Sequence, residues 1–125
     1  MHFKCEVKNL SNQVTICEDE TDKKICQAFI TNVTKTDGIY EQFHNISKPI
    51  VYFSSFYTLK EYRSKGYGRK MLKYIKEYYK GYIVVLHVGG MGVLSNEQLV
   101  EFYKSEGFKE YESDSRHNPL LAIIL

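Results

Sequence analysis

The sequence predicts a single α+β domain: a mixed, mostly antiparallel sheet built around one parallel β-α-β unit. Three observations predict it. The first half alternates β-branched and aromatic runs with turn residues. From Gly66 the apolar spacing changes to three and four residues, the period of a helix. Residues 82–88, YIVVLHV, are then apolar almost throughout, as in a strand covered on both faces. At 125 residues the chain has room for one core, so residues 1–125 are read as one domain.

Phe3 to Leu10 alternates loosely and reads as a first strand. Ser11-Asn12 is a turn signal, and Gln13 to Cys17, with Val14, Thr15 and Ile16, returns as its hairpin partner. The polar stretch Glu18 to Lys23 is a second turn, before a third strand from Lys24 to Val33. Asp37-Gly38 marks another turn, and residues 39–48 fit a short strand and a helical turn equally. Pro49 opens a strand from Ile50 to Leu59, where a proline's missing N–H does little harm. Tyr67, Met71, Tyr74, Ile75 and Tyr78 then form the apolar stripe of an amphipathic helix, ended by Lys80-Gly81.

Strand, helix and doubly covered strand imply parallel strands joined by a right-handed crossover. Gly89-Gly90-Met91-Gly92 reads as a loop. Ser95 and Gln98 have capping-box spacing for a second helix over 96–106, stopped by Gly107. Phe108 to Glu112 and Leu120 to Leu125 form a closing antiparallel pair around the polar SDSRHNP segment.

Composition excludes several classes. Hydrophobic residues at 43% and charged residues at 26% are ordinary for a globular protein. The longest apolar runs are about six residues, against roughly 20 for a membrane span, and the first residues lack the plan of a signal peptide. Three cysteines without CxxC spacing or a histidine cluster argue against a disulfide framework or zinc site, so a reducing, cytoplasmic location and no metal are expected. The net charge is +2, but Lys60 to Lys80 holds eight basic and two acidic residues, a local +6 that leaves −4 elsewhere. Such segregation makes a local anion-attracting field.

That charge surrounds Arg63-Ser64-Lys65-Gly66-Tyr67-Gly68-Arg69, between strand and helix. A helix N-terminus carries N–H groups outside the helical ladder and about half a positive charge, and glycines let phosphate oxygens approach the backbone. The loop is neither a Walker A nor a dinucleotide fingerprint. Arg63-x-x-Gly66-x-Gly68, after Lys60-Glu61-Tyr62, instead resembles the Q/R-x-x-G-x-G/A motif of the GNAT superfamily of N-acetyltransferases. Asn96-x-x-Leu99-x-x-x-Tyr103 followed by Gly107-Phe108 resembles the family's second motif, N-x-x-A-x-x-x-Y-x-x-x-G-F. The resemblance covers Pro49 to Phe108.

The resemblance implies acetyl-CoA as acyl donor. Backbone groups of Arg63, Ser64, Lys65, Gly66, Tyr67, Gly68 and Arg69 would cradle the pyrophosphate, and those of Phe56, Tyr57 and Thr58 would pair with the pantetheine arm. Asn96 would contact the cofactor, and Tyr103 would face the sulfur and protonate the leaving thiolate. In the family two helices follow the first strand; residues 11–48 here read mostly as strand and turn, so that helical region, which helps build the acceptor site, is shortened. The acceptor is then some primary amine of a small molecule, peptide or protein, of open identity.

An amine with a pKa of about 10.4 is neutral in roughly one molecule in a few thousand at pH 7, so a base is expected. Some family members carry an acid on the strand before the phosphate loop, but Tyr52-Phe53-Ser54-Ser55 has none. His87, Glu41, His44 and water remain open, although a lone histidine in an apolar strand is more often a satisfied core residue. A non-catalytic CoA-binding or protein-interaction module is the alternative. Nucleic-acid binding through the Lys60 to Lys80 face is disfavoured by the acidic remainder of the chain, no membrane partner is expected, and a homodimer stays open.

Overall fold

The structure, a computed structural model, describes residues 1–8, 11–33, 38–89, 94–114 and 118–125, without the side chains of 6–8, 11 and 55. The expected turn and loop residues Asp37 and Gly90 to Gly92, and the middle of SDSRHNP, lie outside the described residues. Two units divide the chain: residues 1–32 with 53–80, and residues 33–52 with 81–125.

In the first unit β1 (His2–Lys8) pairs antiparallel with β2 (Ser11–Cys17), Lys8 opposite Ser11 and His2 opposite Cys17. Ser11 and Asn12 therefore belong to a strand, not to the turn their composition suggests. The reason is that β2 is bonded along both edges: Ser11 and Asn12 also face Thr31 and Ile30 of β3 (Lys24–Val33), which satisfies their backbones. The Asn12 amide donates to the Tyr79 hydroxyl at 2.7 Å. Val14, Ile16 and Cys17 are buried, as are Ile25, Cys26, Ala28 and Ile30 across the ladder.

Helix α1 (Tyr67–Tyr78) packs against β2. It buries Met71, Leu72 and Ile75, with Tyr79 just beyond its end, whereas Tyr78 is 48% exposed and Tyr67 and Tyr74 are half-buried. The buried stripe thus runs one position beside the tyrosine stripe that spacing suggests. Aliphatic side chains can be enclosed without stranding a hydroxyl, and each contributes about 1.5–3 kcal/mol.

The second unit orders its strands β4-β5-β7-β6, where β4 is Ile50–Thr58, β5 Ile83–His87, β6 Lys109–Tyr111 and β7 Leu120–Ile124. β4 starts in this unit and its residues from Phe53 onward belong to the first. β4 and β5 run parallel, with Ile50, Val51 and Tyr52 opposite Ile83, Val84 and Val85. β5–β7 and β7–β6 are antiparallel. Ile83 to Leu86 are each at most 2% exposed, as expected of a strand covered on both faces. The ambiguous segment forms a 3₁₀ helix over Gly38–Phe43, anchored by the fully buried Phe43 in a core with Ile50, Ile83, Val85, Leu120 and Ala122. Among the described residues no α-helix precedes α1, so the N-terminal helical region is short, as expected. Helix α2 (Asn96–Ser105) completes the unit.

Candidate functional site

The expected cofactor residues of the first unit form one continuous stretch. Phe56, Tyr57 and Thr58 end β4, and the Leu59 N–H continues its pairing onto the Ile25 carbonyl at 2.8 Å. One 3₁₀ turn, Lys60–Tyr62, follows, and Arg63 closes it by donating its N–H to the Lys60 carbonyl at 3.3 Å. The Arg63 Nε also donates to the Thr58 carbonyl at 3.0 Å, with the guanidinium 5.5 Å over the Tyr57 ring. Arg63 is thereby committed to shaping the loop, and the N–H run that can face an anion begins at Ser64.

Ser64 (φ 62°) and Gly66 (φ 85°) both adopt the left-handed conformation, which costs a non-glycine residue about 1–2 kcal/mol. Strain of this kind concentrates at ligand clamps. Gly66 is the N-cap of α1, so no side chain caps the helix, and its first turn holds no acidic residue. The helical ladder starts with the Lys70 N–H on the Gly66 carbonyl at 3.1 Å, which leaves Tyr67, Gly68 and Arg69 ahead of it. The start of α2 is the opposite case. Ser95 accepts from the Gln98 N–H at 3.2 Å and Gln98 accepts from the Ser95 N–H at 2.9 Å, the expected capping box. Among the described residues, α2 closes its N-terminus with its own side chains, whereas α1 starts without a side-chain cap within the most basic segment.

The loop is also held from outside. Lys65 and Lys23 lie 5.6 and 5.7 Å from the Tyr62 ring centre, and Lys70 lies 5.3 Å from that of Tyr67. Lys23 pairs with Glu61 at 3.2 Å, and the Tyr62 hydroxyl donates to Glu18 in a short hydrogen bond. That bond holds the Glu18 carboxyl below the usual carboxylate range and pushes the Tyr62 phenol up to about 12.

The second unit holds the other expected residues. Asn96 is the first residue of α2 and half-buried; Tyr103 sits two turns on, 7% exposed, its ring edge-on to Phe102 and Phe108 at 5.3 and 5.6 Å. His87, at the end of β5, is no isolated core histidine. Its Nδ1 lies 2.7 Å from the Tyr52 hydroxyl and its Nε2 lies 3.0 Å from Asp114 Oδ1. Burial raises the Tyr52 phenol above its ordinary value. Tyr52 and Asp114 escaped sequence reasoning. The signal for Tyr52 was parity: it faces Val85 across the parallel pair, and His87, two residues on, shares that face. Glu41 and His44 line an open groove with Gln42, Glu112 and Asp114, and neither is bonded to the His87 chain. Among the described residues no group of three or more His, Cys, Asp and Glu side chains could hold a metal, and no helix is long and apolar enough to cross a membrane.

The family model of the acetyltransferase (GNAT) domain matches residues 11–110, spanning both motifs and both units. The chain belongs to the GNAT acetyltransferases. No curated protein matches it. Among solved structures, this GNAT chain is similar to a GNAT-family protein from Bacteroides thetaiotaomicron at 18% identity and a TM-score of 0.67, over 94% of this chain and 63% of that one. It is similar to Arabidopsis thaliana NAA60 in complex with acetyl-CoA at 14% identity and a TM-score of 0.70, over 94% and 78% of the two chains. It is also similar to the Bacillus subtilis N-acetyltransferase YlbP in complex with coenzyme A at 16% identity and a TM-score of 0.62, over 93% and 68%. The chain thus spans less than two thirds of the Bacteroides protein's length. These likenesses establish the GNAT fold, with neighbours that bind acetyl-CoA or CoA.

Proposed function

We propose that this GNAT domain, the whole of residues 1–125, transfers an acetyl group from acetyl-CoA directly to a primary amine of a small molecule, peptide or protein. The observation that carries the reading is the start of α1: glycine-capped, without an acid in its first turn, preceded by two left-handed residues and set in the most basic segment of the chain. It offers a diphosphate what a self-capped helix cannot. Ser64 to Arg69 would bind the pyrophosphate through the backbone, with Arg63 shaping the loop. Phe56, Tyr57 and Thr58 would extend along the pantetheine, an N–H there would polarise the thioester carbonyl, and Asn96 would hold the cofactor from α2. Tyr103 would donate its hydroxyl proton to the departing thiolate, whose pKa of about 8.5 lies near enough to a phenol's 10. The reaction needs no metal. Three cysteines, an odd number without CxxC spacing, support a reducing, cytoplasmic setting.

Gly68 has no left-handed φ among the described backbone angles, so alanine fits its conformation, and on this reading its methyl would crowd the phosphate loop. Gly68→Ala should weaken CoA binding by calorimetry about tenfold or more; unchanged affinity would remove the phosphate-loop assignment. Tyr103→Phe should retain CoA affinity and lose about 10²-fold or more in kcat, read by mass spectrometry of acetylated amines. Intact CoA binding with no amine acetylated by the unaltered protein would mark a binding module instead.

A further inference from the structure

We propose that Tyr52, His87 and Asp114 form the proton relay that neutralises the acceptor amine, with Tyr52 touching the amine and Asp114 positioning the imidazole. The inference rests on the acyl-transfer reading above and adds to it the group that reading leaves unnamed. The direction of the relay follows from the chemistry of its members. A carboxylate only accepts, so His87 Nε2, 3.0 Å from Asp114 Oδ1, carries the proton. Nδ1 is then an acceptor, and the hydroxyl 2.7 Å away must donate to it. The His87 backbone N–H also donates to the Tyr52 oxygen, which keeps one lone pair for a proton from outside.

The three residues meet where the parallel pairing ends: Tyr52 is the last residue of β4 in that pairing, and His87 closes β5 two residues beyond Val85. Tyr52 is half-buried, the His87 side chain is 20% exposed and that of Asp114 is 63% exposed, so the relay runs from the interior to water. Burial disfavours a free Tyr52 phenolate, which suits a conduit that gives and takes a proton together.

An alkylammonium gives one proton to the Tyr52 oxygen while the Tyr52 hydroxyl proton moves to His87 Nδ1. The resulting imidazolium is held by Asp114 and releases its proton to water. The neutral amine then forms the C–N bond at the thioester carbonyl and the C–S bond breaks. Tyr103 gives its proton to the sulfur, and the second proton shed by the nitrogen restores it. The products are an amide, a thiol and one proton in solution.

A base is needed only for an amine that is charged at rest. Tyr52→Phe and His87→Ala should therefore lower kcat/KM for a primary alkylamine about 10²-fold at pH 7, yet lower it less than threefold for an aromatic amine, already neutral there. Asp114→Asn should give a smaller loss of the same pattern, and CoA affinity should not change in any variant. Equal losses for both amines, or no loss, would overturn the relay. Nitrogen NMR of His87 in the unaltered protein reads the relay without turnover: Nε2–H is expected, and an Nδ1–H tautomer would overturn it. If the unaltered protein binds CoA but acetylates neither amine, acyl transfer falls, and the tautomer still decides whether the relay stands.

Discussion

Arg63, Lys65 and Lys70 show why four cations and so many aromatic rings share one short stretch. Each lies against a tyrosine, Arg63 on Tyr57, Lys65 on Tyr62 and Lys70 on Tyr67. Such contacts contribute about 0.5–1 kcal/mol at exposed sites, enough to bias where a charge sits. The interleaved tyrosines thus turn loose charge into a placed field. A residue of the opposite kind is Thr15, fully buried in the middle of β2, whose hydroxyl finds no hydrogen-bond partner among the described residues. A stranded buried hydroxyl costs about 1–3 kcal/mol. Thr15→Val keeps the shape and removes the oxygen, so it should stabilise the protein by about 1 kcal/mol, seen as a higher midpoint in urea denaturation. A lower midpoint would mean the hydroxyl is satisfied.

Among the elements, α2 is the one whose limits the sequence announced at both ends. Its capping box is formed as the Ser95 and Gln98 spacing foretold, and Gly107 ends it with φ at 101°. A Cβ on Gly107 would meet the Ile123 Cδ1 at 3.1 Å as well as an unfavourable backbone angle. Gly107→Ala should therefore lower stability by about 1–2 kcal/mol or more, a drop of several degrees in Tm. Caps are legible because they depend on neighbours three or four residues apart. The buried face of α1 was not, because whether Leu72 or Tyr78 turns inward is decided by β2, more than fifty residues upstream. The turn expected at Ser11-Asn12 was misplaced for the same reason: pairing with β3 outweighs the turn preference of these residues. The candidate site divides likewise. Its proposed cofactor half is local in sequence, whereas Tyr52, His87 and Asp114 stand 35 and 27 residues apart and meet only through the fold.

At the scale of the whole molecule, charge ties the loop before α1 to its surroundings and sets a response to pH. Four carboxyls of the first unit titrate below their ordinary range: Glu18 through the Tyr62 hydroxyl, Asp19 through the N-terminal amine, Asp22 through Lys4, and Glu61 through its own backbone N–H and Lys23. A carboxyl with a depressed folded pKa stabilises the fold fully above its unfolded value, about 4 to 4.5, and loses that contribution as pH falls through the folded value. Tyr62 works in the other direction: raised to about 12, it stabilises below about 10 and loses this as pH climbs through 12. Since one hydrogen bond links Tyr62 to Glu18, Tyr62→Phe should flatten both the acid and the alkaline limbs of stability against pH, while Thr21→Ala should touch only the acid limb. Denaturation midpoints from pH 2 to 11 check this, and an unaltered alkaline limb in Tyr62→Phe would show that the bond is absent in solution. Asp19, Asp22 and Glu61 are exposed and Glu18 and Tyr62 only half-buried, so added salt should shrink both limbs, the contribution of the Tyr62–Glu18 bond least.

The uncapped start of α1 also sets a trap for anyone hoping to make the protein sturdier. A stability-minded redesign would single out Gly66 and supply an asparagine, which tolerates the left-handed backbone and can reach the first-turn N–H groups. On the proposed reading of this loop, that amide would occupy the place of the phosphate oxygens. Sturdiness and receptivity are alternatives at this position, and any gain in melting temperature there should be paired with a loss of cofactor affinity.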